Sequence, residues 1–120
     1  MKEKIIEFEE FEMRIRDIAK KIKKNKKIKD IYGVPRSGLI PAIRLSYLLD
    51  IPRTINPKYE STAIIDDISD SGTTKHSFGD FKYFFALIDK KKENIEDWII
   101  FWWNLKWKEG TNDRNRKEFR

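Results

Sequence analysis

The sequence contains no cysteine, which excludes disulfide bonds and thiolate chemistry. It has one histidine, His76, with no partner motif around it, so we expect a surface helix residue there. The apolar runs are far below the about 18 residues of a membrane span, and the charged N-terminus lacks a signal peptide's apolar segment. We therefore expect a cytoplasmic protein that does not enter a membrane, with one domain and one modest core in its 120 residues.

Positive charge is in excess, with a formal net charge of +6. The basic residues concentrate in Lys20–Lys29 and in the tail from Lys106 to Arg120. Such a balance attracts nucleic acids, anionic membranes or polyphosphates. However, no aromatic residue interrupts Lys20–Lys29, as a base-stacking surface would require. We read it as a solvated helix face, so nucleic acid is a less favoured partner.

The first half of the chain shows two helical patterns. Apolar residues recur at spacings of three and four between Glu7 and Lys24, which predicts an amphipathic helix there. Ile28–Tyr32 reads as a short strand that ends in Gly33. Leu39–Leu49 is largely apolar and predicts a buried helix, and Arg53–Asn56 predicts a second strand.

The second half alternates apolar runs with polar segments. Ala63–Ile65 is apolar and β-branched, as buried parallel strands are. The remaining predicted elements are a short helix, a strand, a polar loop and an aromatic strand: Thr73–Phe78, Tyr83–Ile88, Lys90–Glu96 and Trp98–Trp103. This order predicts an α/β domain with a mainly parallel β-sheet flanked by helices. In such sheets, ligands bind beyond the carboxyl ends of the strands.

The most informative segment is 63–74, where an apolar strand runs into Asp66 and Asp67 and then into Asp70. Carboxylates suit sugar hydroxyls and a cation such as Mg²⁺, which takes one or two carboxylates together with substrate oxygens. The hydroxyls and backbone N–H groups around Gly72 suit a phosphate. Asp-Asp alone would more often be a helix cap or a solvated turn, but the whole segment favours a ribose-phosphate site.

A second loop, Gly33–Gly38, places Arg36 between two glycines and before a helix. Backbone N–H groups, one guanidinium and a helix N-terminus together suit a pyrophosphate. Taken alone, this loop says little about function. Because it precedes the Asp66-Asp67 segment, the two together favour a site for a ribose-phosphate that carries a pyrophosphate. Both loops follow predicted strands, so we expect them to share a cleft.

The two segments resemble the pyrophosphate loop and the phosphoribosyl pyrophosphate motif of type I phosphoribosyltransferases, over about Ile6 to Trp103. The run from Lys90 to Trp98-Ile99 resembles the base pocket of the bacterial xanthine-guanine/hypoxanthine branch. The resemblance implies transfer of ribose 5-phosphate from phosphoribosyl pyrophosphate to a 6-oxopurine-like base, with Mg²⁺ and release of pyrophosphate. The residues implied in binding phosphoribosyl pyrophosphate are Val34, Pro35, Arg36, Ser37, Gly38, Asp66, Asp67, Ser69, Asp70, Ser71, Gly72, Thr73 and Thr74.

By the same resemblance, Asp70 is the catalytic base on the N7 side of the purine, and Asp66 and Asp67 hold the metal. Lys90 contacts the 6-oxo group, Trp98 stacks on the base, and the backbone of Ile99 meets its exocyclic edge. Lys91 or Lys92 replaces Lys90 if the strand register shifts. Guanine, xanthine and hypoxanthine remain equally open, as do modified or deazapurine bases.

The sequence departs from the family in three ways. The segment around Pro57–Glu60 is too short for the usual flexible loop, so either the site stays open or Tyr59 acts from a neighbouring subunit. The helix after Thr74 is short, and Asn104 stands where relatives often carry a carboxylate. We therefore predict a reduced flexible loop, a minimal hood, a domain at 1–104 and a basic polar tail at 105–120. A thin sheet with exposed tryptophans also predicts a homo-oligomer.

Two alternatives remain at this point. The chain could be a phosphoribosyltransferase-fold protein that binds phosphoribosyl pyrophosphate or a nucleotide with little turnover and binds nucleic acid through its basic face. The short loop favours this, and the intact carboxylates disfavour it. It could also be a minimal domain that works fused to, or assembled with, another protein.

Overall fold

The computed structural model describes residues 2–70, 77–78 and 81–105. Two predicted features, the helix Thr73–Phe78 for the most part and the tail after Leu105, lie outside them, as does His76. The described elements are β1 (Glu3–Ile6), α1 (Phe8–Lys24), β2 (Asp30–Gly33), α2 (Leu39–Leu49), β3 (Thr62–Ser69), β4 (Tyr83–Asp89), α3 (Lys90–Glu93) and β5 (Trp98–Phe101), followed by a 3-10 turn (Trp102–Asn104). None of the described helices is long and apolar enough to cross a membrane.

The two long predicted helices form, as α1 and α2. The apolar stripe of α1 is buried, at Phe11, Ile15, Ile18, Ala19 and Ile22. Acidic residues occupy the first turn of α1 and lysines its last turn, which matches the helix dipole. The α2 helix has the predicted bounds and ends at Asp50, whose φ of 52° is left-handed.

The central sheet has the order β2-β3-β4, and both pairings are parallel. The β3 strand is longer than the predicted Ala63–Ile65, because its pairing with β4 continues past both aspartates to Ser69. The predicted strand Arg53–Asn56 was wrong. Arg53 makes a single parallel bridge to Ile31, and the chain then turns away at Thr54, whose side chain accepts from the Asn56 N–H.

A second sheet joins the two ends of the described chain, because β1 pairs in parallel with β5. The β1 strand was not predicted: it is four residues long, half charged, and its partner lies more than ninety positions away. The predicted strand Trp98–Trp103 is too long. It stops at Phe101, whose N–H donates to the Asn104 side chain at 3.1 Å and so turns the chain.

The predicted polar loop Lys90–Glu96 was also wrong in part, since its first four residues form α3. The Asp89 side chain caps this helix by accepting from the Lys92 N–H at 3.1 Å. Asn94 ends it in the left-handed region, with φ of 56°. Capping aspartates and left-handed asparagines are local signals that favour a short helix over a loop.

One hydrophobic core connects both sheets and both long helices. Its buried residues include Ile6 and Phe101 from the small sheet, Phe11 and Ile15 from α1, and Ile65 from β3. The arrangement is an α/β fold with a parallel central sheet flanked by helices, as predicted from the sequence.

An ion pair between the two long helices predicts acid-sensitive stability. The Arg44 guanidinium donates to Glu12 at 2.8 Å and lowers the pKa of that carboxyl, whose side chain is 16% exposed. A lowered pKa stabilises the fold above the usual value of 4.5, and that contribution is lost as pH falls through the folded-state value. We expect Glu12→Gln to lower the unfolding free energy at pH 7 by about 1 kcal/mol.

Thermal melts from pH 7 to pH 3 test this prediction. The difference between wild type and Glu12→Gln should shrink as the wild-type carboxylate is protonated. Glu96→Gln makes the same charge change at an exposed position and should melt like wild type throughout. A difference in melting temperature that stays constant to pH 3 would contradict the assignment.

Candidate active site

The candidate residues gather at one edge of the central sheet. Gly33, the last residue of β2, pairs with Ile65 of β3, and Ser69 of β3 pairs with Asp89, the last residue of β4. Because the strands are parallel, the segments after β2, β3 and β4 all leave from this carboxyl edge. The two loops therefore leave from the same side of the sheet, as predicted from the sequence, and the shared cleft stays a prediction.

The loop 33–38 is attached directly to β3. The Val34 N–H donates to the Ile65 carbonyl at 2.8 Å, and the Gly38 N–H donates back to the Val34 carbonyl at 2.9 Å. The peptide bond between Pro35 and Arg36 is cis. These bonds place the loop beside Asp66, which directly follows Ile65.

Both glycines of this loop are needed for close backbone approach. A Cβ on Gly38 would lie 2.5 Å from the Val34 carbonyl oxygen and 2.7 Å from that of Ile65. A Cβ on Gly33 would lie 2.7 Å from the Gly38 oxygen and 2.8 Å from the Ala42 Cβ. Larger residues would therefore push the loop away from the strand.

The side chains of the loop differ in exposure. Pro35 and Arg36 are exposed, Val34 and Ser37 are half-buried, and Gly38 is buried. Within the described part of the chain, Arg36 makes no ion pair, so its guanidinium is open to an anionic ligand. The loop leads into α2, with the Ala42 N–H donating to the Gly38 carbonyl at 3.2 Å.

The two adjacent aspartates lie inside β3 and not in a solvated turn. Side chains alternate along a strand, so Asp66 and Asp67 project to opposite faces of the sheet, which reduces their repulsion. Asp66 is 5% exposed and accepts from the Asp67 N–H at 2.9 Å. Asp67 is half-buried and accepts from the Ile68 N–H at 2.8 Å.

This donor set fits Mg²⁺ only in company with a substrate. Among the described residues, no three Asp, Glu, His or Cys side chains cluster closely enough to hold an ion alone. Mg²⁺ usually binds through one or two carboxylates together with substrate oxygens, so Asp66 or Asp67 can contribute a ligand to a substrate-bound ion.

Asp70 and Lys90 come together although twenty positions separate them. The Lys90 Nζ lies 3.9 Å from the Asp70 Oδ2. Their meeting follows from the sheet, because each residue directly follows one member of the Ser69–Asp89 pair. The Lys90 side chain is 13% exposed and that of Asp70 is 72% exposed, whereas Lys91 and Lys92 are exposed residues of α3.

The remaining phosphate-cradle residues are only partly described. Ser69 is half-buried at the end of β3, and it also lines a groove of about 550 Å³ with Asp89 and Lys92. Ser71, Gly72, Thr73 and Thr74 lie outside the described residues.

Trp98 and Ile99 lie in the small sheet, at the start of β5. Trp98 is 59% exposed, and its backbone N–H donates to the Lys2 carbonyl at 2.9 Å. In a parallel ladder, the next residue directs its N–H and C=O to the opposite side. The backbone of Ile99 therefore faces away from β1, while its side chain is buried.

The small sheet lies within reach of Lys90. The Ile95 N–H donates to the Lys90 carbonyl at 2.9 Å, which folds the chain back after α3. Three further residues reach Trp98. The Cα atom of Trp98 is therefore at most about 11 Å from that of Ile95, whose N–H is bonded to Lys90.

The segment 57–61, which stands in place of the usual flexible loop, lies where the strands begin, at the amino edge of the sheet. Thr62, the first residue of β3, accepts from the Lys58 N–H at 2.8 Å and donates to Asp30 at 2.6 Å. The Lys82 N–H donates to the Tyr59 carbonyl at 3.2 Å. At about 3.3 Å per residue, Thr62 and Ser69 are about 23 Å apart, so this segment does not cover its own carboxyl edge.

Comparisons with known proteins agree on the fold. No protein-family model and no curated protein matches the sequence. A purine phosphoribosyltransferase from Pyrococcus horikoshii is 25% identical, with a TM-score of 0.66 over 90% of this chain and 97% of its own. A xanthine-guanine-hypoxanthine phosphoribosyltransferase from Helicobacter pylori is 16% identical, with a TM-score of 0.64 over 98% of each chain.

A third similar structure contains bound ppGpp. A hypothetical protein from Neisseria gonorrhoeae, solved with bound ppGpp, is 17% identical, with a TM-score of 0.63 over 100% of this chain and 99% of its own. The parallel central sheet, the loop after β2 and these matches lead to one conclusion. The chain has the fold of the type I phosphoribosyltransferases.

Proposed function

We propose that this protein is a cytoplasmic phosphoribosyltransferase that transfers ribose 5-phosphate from phosphoribosyl pyrophosphate to a 6-oxopurine-like base and releases pyrophosphate. The observation that carries the proposal is the Asp70–Lys90 pair, 3.9 Å apart, at the same carboxyl edge from which the loop 33–38 leaves. An ammonium and a carboxylate at this spacing can contact two neighbouring atoms on one edge of a purine.

The O6 and N7 atoms of a 6-oxopurine are neighbours on that edge. Lys90 donates a hydrogen bond to O6. Asp70 accepts the proton from N7 as N9 bonds to C1 of the ribose and the bond from C1 to pyrophosphate breaks. The Asp70 side chain is 72% exposed, so a bound base can reach its carboxylate.

The phosphoribosyl pyrophosphate occupies the remaining groups. The Arg36 guanidinium and the backbone N–H groups of Arg36 and Ser37 bind the pyrophosphate, and a helix N-terminus follows the loop. Asp66 or Asp67, whichever faces the substrate, would bind the ribose hydroxyls and contribute a ligand to a substrate-bound Mg²⁺, which would stabilise the negative charge on the departing pyrophosphate. Ser69 and the residues 71–74 bind the 5-phosphate.

Trp98 and Ile99 complete the base site. The exposed indole of Trp98 stacks on the purine, and the outward backbone of Ile99 meets its exocyclic edge. Loss of aromatic stacking costs about 1–3 kcal/mol per base. We therefore expect Trp98→Ala to raise the KM for the base by about 5-fold to 150-fold and to leave the KM for phosphoribosyl pyrophosphate unchanged.

Steady-state kinetics with each substrate varied in turn measure this effect. Trp98→Phe is the matched control, because it keeps an aromatic face and should stay close to wild type. If Trp98→Ala leaves the KM for the base unaltered, Trp98 does not stack on it.

A panel of bases tests the proposed function and identifies its substrate. Nucleotide formation should be seen with one or more of hypoxanthine, guanine and xanthine. Adenine presents an amino group to Lys90 and should react at least about 100-fold less well. 7-Deazahypoxanthine keeps O6 but lacks N7, so poor reaction with it would support the role of Asp70. Equal rates with hypoxanthine and adenine would contradict the base site.

A second candidate function is binding without efficient turnover. It is favoured by the segment 57–61, which lies at the amino edge and cannot exclude water from this site. The Neisseria gonorrhoeae protein with bound ppGpp is a nucleotide-bound example of the fold. Calorimetric titration with phosphoribosyl pyrophosphate and with ppGpp distinguishes the two: tight binding with no product from any base supports the binding protein.

The same samples test two proposed partners. Binding of nucleic acid that weakens steeply with salt would support a role for the basic face, and its absence would remove that role. We also propose self-association through exposed apolar side chains such as Trp102 and Ile5. Sedimentation of a single chain at assay concentration would contradict this.

A further inference from the structure

The short helix α3, which begins with Lys90, is attached to α1 by one arginine. Arg14 of α1 donates from Nη1 to Glu93 Oε2 at 2.9 Å, and its Nη2 lies 2.8 Å from Glu93 Oε1. Two parallel contacts between a guanidinium and a carboxylate fix orientation as well as distance. The side chains are 20% and 34% exposed, so solvent screens the pair only in part.

The same guanidinium also holds the strand that leads into α3. Arg14 donates to the Leu87 carbonyl of β4 at 3.1 Å and to Glu10 at 3.0 Å. Glu93 in turn accepts from the Asp89 N–H at 3.2 Å. Mainly because of this hydrogen bonding, the pKa of Arg14 is raised and that of Glu93 is lowered, so both stay charged around neutral pH.

The α3 helix has little else to hold it in place. It has four residues and no buried side chain, and a helix of this length is not stable by itself. Its other fixed points are the Asp89 cap and the Ile95–Lys90 bond, both of which lie within the same short segment. Apart from Lys90 itself, which lies beside Asp70, the side-chain contact that joins α3 to the body of the described domain is that of Glu93 with Arg14.

We propose that Arg14 and Glu93 are positioning residues, which fix the angle of α3 and so hold the Lys90 ammonium beside Asp70. This inference rests on the proposed function, because it assumes that Lys90 contacts the base. Misplacement of a binding group by about 1 Å can reduce the rate by up to about 100-fold. Loss of the pair should therefore affect the use of the base and not that of phosphoribosyl pyrophosphate, whose loop lies on β2.

The test compares Arg14→Gln, Glu93→Gln and the double variant by kinetics. We expect each single change to lower kcat/KM for the base by about tenfold or more and to change the KM for phosphoribosyl pyrophosphate less than twofold. The double variant should be no worse than either single variant, because each change alone already breaks the pair. Arg16→Gln is the matched control, because Arg16 carries the same charge on the opposite side of α1. It is 58% exposed and pairs with Glu12. It should behave like wild type.

Hydrogen exchange provides a readout that does not need catalysis. The amides of Asp89 and Lys92 should exchange faster in Arg14→Gln than in Arg16→Gln, and Arg14→Lys should restore protection only in part, since lysine cannot make the paired contact. If Arg14→Gln lowers the melting temperature but leaves the kinetics for the base and the exchange in α3 unchanged, the proposal is wrong. If the wild type forms no nucleotide but Arg14→Gln still speeds exchange in α3, the proposed function is wrong and the attachment of α3 by Arg14 stands.

Discussion

Asp70→Asn is expected to lower the rate of nucleotide formation by about 10²–10⁴-fold, the range of general acid–base catalysis. Asparagine keeps the size of the side chain but cannot accept the N7 proton. It also removes the charge that faces Lys90 at 3.9 Å. Because Asp70 is exposed, the fold should be unaffected, and the variant should bind phosphoribosyl pyrophosphate as wild type does.

The control for this variant is Asp50→Asn. Asp50 ends α2 in the left-handed region, with φ of 52°, a conformation that asparagine also accepts. This change removes the same charge away from the carboxyl edge and should leave turnover intact. Full turnover of Asp70→Asn, measured in single-turnover experiments with saturating substrates, would show that Asp70 is not the base.

Gly38→Ala is expected to affect both stability and binding. The added Cβ would lie 2.5 Å from the Val34 carbonyl oxygen and 2.7 Å from that of Ile65, and neither backbone group can move without breaking the contact between loop and strand. Overpacking of this kind costs about 1–3 kcal/mol. A domain of this size should melt roughly 5–10 °C lower, with the KM for phosphoribosyl pyrophosphate at least about tenfold higher.

Calorimetry and kinetics on the same preparation separate the two effects. Lys26→Ala introduces alanine at an exposed position and should leave both quantities close to wild type. A Gly38→Ala protein with the wild-type melting temperature and the wild-type KM would mean that the loop is not held against β3 as described.

The local parts of the site were predictable because they are contiguous in sequence. The loop 33–38 and the carboxylates at 66, 67 and 70 each follow an apolar strand, and parallel strands bring such segments to one edge. The bounds of α2 were also predictable, since its apolar residues are dense, Pro41 falls in the first turn, where proline is tolerated, and Pro52 follows its end.

The non-local parts were not predictable from one sequence. The β1 strand depends on a partner at the far end of the described chain, and half of its residues are charged. Asp66 and Asp67 point in opposite directions because β3 extends to Ser69. The apolar pattern stops at Ile65 and so predicts a shorter strand. The pairs Asp70–Lys90 and Arg14–Glu93 depend on the register of β4 and on the position of α1, which no local pattern encodes.

The most direct test of the account is release of pyrophosphate from phosphoribosyl pyrophosphate, measured with Mg²⁺ in the presence and absence of each 6-oxopurine. The account predicts release that depends on the base, an equal amount of nucleotide, and loss of both in Asp70→Asn. If wild-type protein binds phosphoribosyl pyrophosphate but releases no pyrophosphate with any 6-oxopurine, the chain is a binding protein and the proposed transferase reaction is wrong.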